Sequence, residues 1–144
     1  MTHILDAIRN GHLFALSGTD KTDALTFLAR NLGAASVEEV FRREAEFNTG
    51  LGEGIAVPHV RADGTDDLIR CAVGWSAAGI DYDAQDGAPV YLVVMYYIPD
   101  SQKNAYLKEI AGLFKALVKN GGIAPIADAT DLGTVGEILL SWAK

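Results

Sequence analysis

The chain has 144 residues, of which 49% are hydrophobic and 22% charged, a balance that supports one packed domain and argues against a disordered or fibrous polypeptide. Its formal net charge of -7 argues against a general nucleic-acid binder, which needs a basic face to neutralise phosphates. Cys71 is the single cysteine and cannot form an internal disulfide, so the fold does not depend on an oxidising compartment.

The amino terminus, MTHILDAIRNGH, lacks a basic start followed by an apolar core, and the longest apolar run, Val90 to Ile98, is too short to span a bilayer. Direct membrane insertion is therefore not expected, and the cytoplasm is the default location. Four of the 12 basic residues, Arg42, Arg43, Arg61 and Arg70, fall close to His59 in sequence. They form a local basic patch, or they are solvated and paired with Glu44, Glu46, Asp63, Asp66 and Asp67. Charge alone favours the second reading.

Ile4, Leu5 and Ile8 sit at helical spacing and predict a short helix ending near Gly11. His3 and His12 flank it as ordinary surface histidines. His12 to Leu16, bounded by Gly11 and by Ser17-Gly18-Thr19-Asp20, predicts a strand and a turn. Leu25, Leu28, Ala29 and Leu32 then mark one face of a helix that packs on a sheet, with Gly33 as its stop.

Ser36-Val37-Glu38-Glu39 matches a capping box, in which a serine hydroxyl and a glutamate three residues later satisfy free amides at a helix start. That helix runs to about Phe47, with Phe41 as its core anchor and Arg42 and Arg43 leaving from its last turns, where cations suit the helix dipole. Gly50, Gly52 and Gly54 then predict a tight loop, because glycine permits backbone angles that other residues resist. Ile55-Ala56-Val57 resumes as a strand, and Pro58 keeps Val57 extended, so His59 is presented from a stiff strand end.

Leu68 to Trp75 shows the two-residue period of a strand, with Cys71 as a buried thiol. Ala77 to Gly87 is polar and turn-rich. Val90 to Ile98 reads as a central strand covered on both faces, which requires helices on both sides. After Pro99-Asp100-Ser101, a long helix carries Leu107, Ile110, Ala111, Phe114, Leu117 and Val118 on its apolar face and stops at Asn120-Gly121-Gly122. Ile123 to Ala129 predicts a short helix with Pro125 in its first turn, and Asp131 caps a last one through Leu132, Val135, Leu139 and Trp142. The assembly expected is α+β: a three-layer α/β/α sandwich whose mixed sheet of four or five strands is flanked by helices, in a single domain over residues 1–144.

No metal site or cofactor is expected, since histidines at positions 3, 12 and 59 and one cysteine show no close ligand spacing. Gly74-Trp75-Ser76-Ala77-Ala78-Gly79 has one residue too many for a nucleophile elbow. The Gly50 to Gly54 loop reads as a plain turn or as a phosphate cradle. It lacks the Lys-Ser/Thr ending of a P-loop and follows a helix, yet glycine lets backbone amides approach an anion closely. His59 reads as an ordinary exposed histidine or as a nucleophile, because a neutral imidazole attacks a phosphoryl group when its tautomer is fixed and an arginine stabilises the spread charge.

The stretch from Arg43 to His59, REAEFNTGLGEGIAVPH, resembles the active-site signature of enzyme IIA domains of the fructose, mannitol and nitrogen-regulatory branch of the bacterial phosphoenolpyruvate-dependent phosphotransferase system. The usual form is an RE pair followed by STG-I-G-x-GIA-I-PH, and the resemblance extends over nearly the whole chain. It implies a three-layer α/β/α sandwich with a mixed sheet. It also implies that His59 is phosphorylated on a ring nitrogen by an HPr-type carrier and passes the group to a cysteine of an enzyme IIB partner. Arg43 corresponds to the family arginine near the phosphohistidine, and Thr49 to the hydroxyl residue of the TG pair, with Gly50 and Gly54 as supporting or phosphate-binding positions.

One position departs from the pattern. The His-Leu pair that opens the family's long helix is Tyr106-Leu107 here, and a tyrosine donates a hydrogen bond but carries no positive charge at neutral pH. Tyr106 is then a supporting site residue or simply a half-buried aromatic. Beside the phosphocarrier stand two alternatives: a regulatory binding module whose phosphorylation state controls a target protein, and a degenerate domain that is never phosphorylated.

Overall fold

A computed structural model describes residues 1–32, 37–62 and 68–143. The expected helix stop Gly33, the capping serine Ser36 and the acidic residues Asp63, Asp66 and Asp67 lie outside the described residues. In chain order the elements are α1 (Thr2–Arg9), β1 (Leu13–Ala15), α2 (Lys21–Leu32), α3 (Val37–Glu46), β2 (Gly50–Gly52), β3 (Ile55–Ala56), β4 (His59–Ala62), β5 (Arg70–Ile80) and β6 (Val90–Pro99). A 3-10 turn (Asp100–Gln102) leads into α4 (Lys103–Lys119), followed by α5 (Ala124–Ala127) and α6 (Leu132–Ser141).

The strands form one mixed sheet in the order β1-β5-β6-β3-β2, with β4 also paired to β6. β5 and β6 are antiparallel, whereas β1 joins β5, and β3 and β4 join β6, in parallel. The three-layer sandwich is therefore present, with six strands among the described residues where four or five were expected. The additional strands come from two places. Gly50–Gly52, expected as loop, pairs antiparallel with β3 as a short hairpin. Pro58, which has no N–H to give to a ladder, divides the run around His59 into β3 and β4.

The central strand β6 shows why both faces need cover. Leu92, Val94, Tyr96 and Ile98 enter one core with Ile4 and Leu5 of α1, Leu113 and Leu117 of α4, Ile126 of α5 and Leu139 of α6. Val93, Met95 and Tyr97 enter the other, with Leu25, Leu28 and Ala29 of α2 and Val40 of α3. The alternation along one strand thus sorts the helices into two layers.

Three details depart from the sequence reading. The residue of α3 that reaches the core is Val40, while Phe41 is only partly buried, and Glu44 is buried one turn on. β5 continues through Ser76 to Ile80, over residues expected as turn, because Ser76 and Ile80 are buried against the sheet's neighbours. In α4 the buried positions are Glu109, Leu113, Ala116 and Leu117, whereas Leu107 and Val118 are 58% and 74% exposed. The stripe is rotated because Glu109 turns inward. Its carboxylate accepts the amides of His3 (3.2 Å) and Ile4 (2.8 Å) at the start of α1, accepts the Tyr96 hydroxyl (3.1 Å) and faces the Met1 amino group (3.3 Å).

Among the described residues no helix is long and apolar enough to cross a membrane, and no three His, Cys, Asp or Glu side chains gather as a metal site.

Candidate functional site

His59 is the first residue of β4 and lies opposite Tyr96 of β6 in a parallel register. Side chains level with one another on parallel neighbours share a face, so His59 and Arg61 point to the layer of α4 and Val60 to that of α2. Pro58 fixes this presentation: its carbonyl accepts the Tyr96 amide at 3.0 Å, and the preceding Val57 amide donates to the Thr49 carbonyl at 3.1 Å. The strand end is tied down on both sides of the proline.

A cleft of about 270 Å³ opens where β4 and β6 end and α4 begins. His59, Arg43, Arg61, Lys103, Tyr106 and Leu107 line it. Tyr106 comes from the first turns of α4, and its hydroxyl lies 3.3 Å from His59 Nδ1 with the two ring centroids 5.3 Å apart. The Tyr106 ring is itself set edge-on against Tyr96, again at 5.3 Å. Burial lowers the His59 pKa, a hydrogen bond to the Val57 backbone opposes that shift, the Arg43 charge adds to it and the Glu44 charge opposes it. The ring is therefore neutral at pH 7, with a lone pair on one nitrogen. Burial also pushes the Tyr106 hydroxyl up to about 12, so it remains protonated beside that ring.

Arg43 arrives from the last turn of α3, half-buried, with its Nε donating to Glu39 at 3.0 Å. Arg61 holds Asp100 at 2.9 Å across the mouth of the cleft. Arg42 does not face this space: it is exposed and paired with Glu39 (2.7 Å) and Glu46 (3.1 Å). Arg70 sits elsewhere, over the Tyr97 ring at 5.2 Å. Of the four arginines close in sequence, two line the cleft, and the acidic pairing expected for Arg42 includes Glu46 as anticipated.

Thr49, Gly50 and Gly54 are not lining residues of the cleft. The Thr49 hydroxyl is buried, donating to Glu44 at 2.8 Å and lying 3.0 Å from the Tyr82 hydroxyl. The Gly50 amide donates to the Asn48 side chain at 2.8 Å. Gly54 has φ +79°, and a Cβ there would meet Ile123 Cγ2 at 2.7 Å, so glycine is required for close packing. Ile55 is level with Leu92 and His59 with Tyr96, which puts Gly54 about 16 Å from His59 along the strands. The hairpin supports the strand end that carries His59 and does not reach into the cleft.

Lys103, Asp100 and Leu107 belong to the cleft but were not singled out from sequence as site residues. The available signal was register: His59 level with Tyr96 brings the residues after Ile98 beside it, and pairing of two separate apolar runs cannot be read from either run alone. Chemically, the cleft offers a neutral imidazole with one nitrogen facing a hydroxyl, a nearby guanidinium and further cations at the mouth. That set suits attack on, and stabilisation of, a phosphoryl group.

Residues 9–142 match the family described as phosphoenolpyruvate-dependent sugar phosphotransferase system, EIIA 2. The chain is 36% identical over 84 residues to the fructose-specific EIIABC component of Bacillus subtilis, covering 57% of this chain but only 13% of that much longer protein. It is 32% identical over 112 residues to a nitrogen regulatory protein homolog of Haemophilus influenzae, covering 77% and 68% of the two chains. Its fold is that of the nitrogen regulatory protein IIA-Ntr of Neisseria meningitidis, with a TM-score of 0.77 at 23% identity over 94% of this chain and 98% of that one. It is also that of the mannitol enzyme IIA of Escherichia coli in complex with phosphorylated enzyme IIB, with a TM-score of 0.67 at 22% identity over 90% and 94%. The cleft at the end of β6 thus sits in a chain that belongs to the EIIA 2 family of the phosphoenolpyruvate-dependent sugar phosphotransferase system.

Proposed function

We propose that this protein is a cytoplasmic phosphocarrier in which His59 accepts a phosphoryl group from an HPr-type phosphohistidine protein and passes it to a cysteine of an enzyme IIB partner. The observation that carries this reading is the neutral His59 ring held against the Tyr106 hydroxyl in a cleft that also contains Arg43. With Nδ1–H directed at the Tyr106 oxygen, Nε2 keeps the lone pair and is the attacking nitrogen. Its lone pair forms the new N–P bond as the donor's N–P bond breaks, and the donor imidazole leaves with that electron pair. Arg43 meets the charge spread over the phosphoryl oxygens, the chief task in a transfer governed by positioning and electrostatics. Onward transfer reverses the geometry, with the partner's thiolate attacking phosphorus and His59 as the leaving group.

The test is incubation with phosphoenolpyruvate, enzyme I and an HPr-type carrier. An acid-labile phosphohistidine is expected on the wild type and none on His59→Ala; equal labelling of the variant would move the site elsewhere.

The likeness to nitrogen regulatory proteins supports a second reading, in which the phosphorylation state of His59 controls a target protein with little onward transfer. A pull-down that returns the same target with phosphorylated and unphosphorylated protein would count against it.

A further inference from the structure

Glu44 is a charged side chain in a buried position, only 6% exposed, and the phosphoryl chemistry above makes no direct use of it. Its Oε1 accepts the Thr49 amide at 2.9 Å, its Oε2 accepts the Thr49 hydroxyl at 2.8 Å, and Lys21 Nζ of α2 lies 3.0 Å from Oε1. With the Thr49 hydrogen given to Glu44, the Tyr82 hydroxyl donates to Thr49 Oγ1 at 3.0 Å. Lys21 also lies 4.1 Å from the Tyr82 ring centroid, a cation against an aromatic face. A buried carboxylate is costly unless neutralised and fully hydrogen-bonded, and here both conditions are met.

The connections run from this carboxylate to both sides of the cleft. Arg43 is the preceding residue on the same turn of α3. Along the backbone, Glu44 accepts the Thr49 N–H, and the Thr49 carbonyl accepts the Val57 N–H at 3.1 Å, two residues before His59. These bonds tie the backbone at Thr49 and Val57 to a carboxylate anchored in α3.

We infer that Glu44, with Lys21 and Thr49, is a positioning residue: it fixes the Arg43 side of the cleft through α3 and the strand end that presents His59 through the Thr49 and Val57 hydrogen bonds. This rests on the reading of His59 as the phosphoryl acceptor only for its kinetic consequence. Because Glu44 is anchored on three elements, α2, α3 and the residue opening the hairpin, loss of its bonds loosens both reacting partners together. A residue that merely stabilised α3 would leave the His59 ring as it was.

The experiment uses the full chain and two readouts. One is the tautomer and titration midpoint of His59 by nitrogen-15 NMR; the other is the rate of labelling by a phosphorylated HPr-type carrier. Glu44→Gln keeps the shape and an acceptor but removes the charge, so the His59 midpoint should fall while the tautomer is retained. Glu44→Ala also removes the acceptors. His59 should then populate both tautomers, and labelling at saturating donor should slow about tenfold with the donor KM unchanged, as expected when a positioning interaction is lost. Should Glu44→Ala fail to fold, the midpoint in Glu44→Gln still decides. Folded variants with the wild-type midpoint and tautomer would overturn the inference, whatever their melting temperatures. Absence of labelling in the wild type would defeat the phosphocarrier reading and leave the NMR result on Glu44 standing.

Discussion

The Tyr106 hydroxyl lies 3.3 Å from His59 Nδ1, and the Tyr106 ring rests against Tyr96, whose own hydroxyl donates to the buried Glu109 at 3.1 Å. The contact fills the place that the family pattern gives to a histidine with a neutral group that stays protonated to about 12. Tyr106→Phe should keep the ring packing but leave His59 Nδ1 without this partner. Labelling by the carrier should slow by about fivefold to tenfold, the worth of one ordinary hydrogen bond, with stability within about 1 kcal/mol of wild type. Tyr106→His should restore labelling relative to Tyr106→Phe, and single-turnover measurements on the three proteins decide it.

The lowered His59 pKa gives a pH dependence with a definite sign. Burial is the main cause, and the native ring therefore holds its proton less tightly than the unfolded one at 6.5. Between the native and unfolded values the unfolded chain binds more protons, so stability rises with pH through that window and is lost as pH falls through it. The urea midpoint of wild type should drop more between about pH 7.5 and pH 5.5 than that of His59→Gln, with the difference isolating this group from the carboxylates. Labelling, which needs the neutral ring, should be flat above the window and decline below it.

The two helical layers and the central strand were legible because each rests on a periodicity of its own: Leu25, Leu28, Ala29 and Leu32 all enter the core, as does all of Val90 to Ile98 except Tyr91. The His59 to Arg43 relation was legible from a family resemblance, since nothing in the spacing of residues 43 and 59 brings them together. Glu109 and Glu44 were not legible as buried groups. A glutamate reads as solvent-facing by default, and only tertiary structure supplies the amides, hydroxyls and ammonium groups that make its burial tolerable. The hairpin was missed for a related reason. Three glycines in five residues read as a loop, whereas Gly50–Gly52 is a strand whose glycines admit close neighbours, and strand pairing is a property of two segments.

Glu109 should therefore behave as a structural residue. Glu109→Leu leaves the amides of His3 and Ile4 and the Tyr96 hydroxyl without their acceptor at the base of α1. A loss of about 2–4 kcal/mol is expected in urea unfolding, the scale for stranding several buried donors. Because Tyr96 also backs Tyr106, the variant should retain only part of the His59 tautomer preference. Full wild-type stability would show that these donors find water instead.

The glycines of the hairpin separate a cradle from a scaffold. If Gly54 held phosphate by close backbone approach, Gly54→Ala would lose labelling while keeping its fold. The geometry argues for the opposite result. The added Cβ would lie 2.7 Å from Ile123 Cγ2 on a backbone at φ +79°, and the Gly54 carbonyl already accepts the amides of Tyr91 (2.9 Å) and Leu92 (3.2 Å), far from the cleft. Overpacking and a left-handed angle together should cost about 2–4 kcal/mol, read as a lower urea midpoint. Labelling of the folded fraction should be unchanged. Adding Ile123→Ala should recover the packing part of the loss and none of the backbone part, because removing a neighbour makes room for a Cβ but does not make its φ angle comfortable.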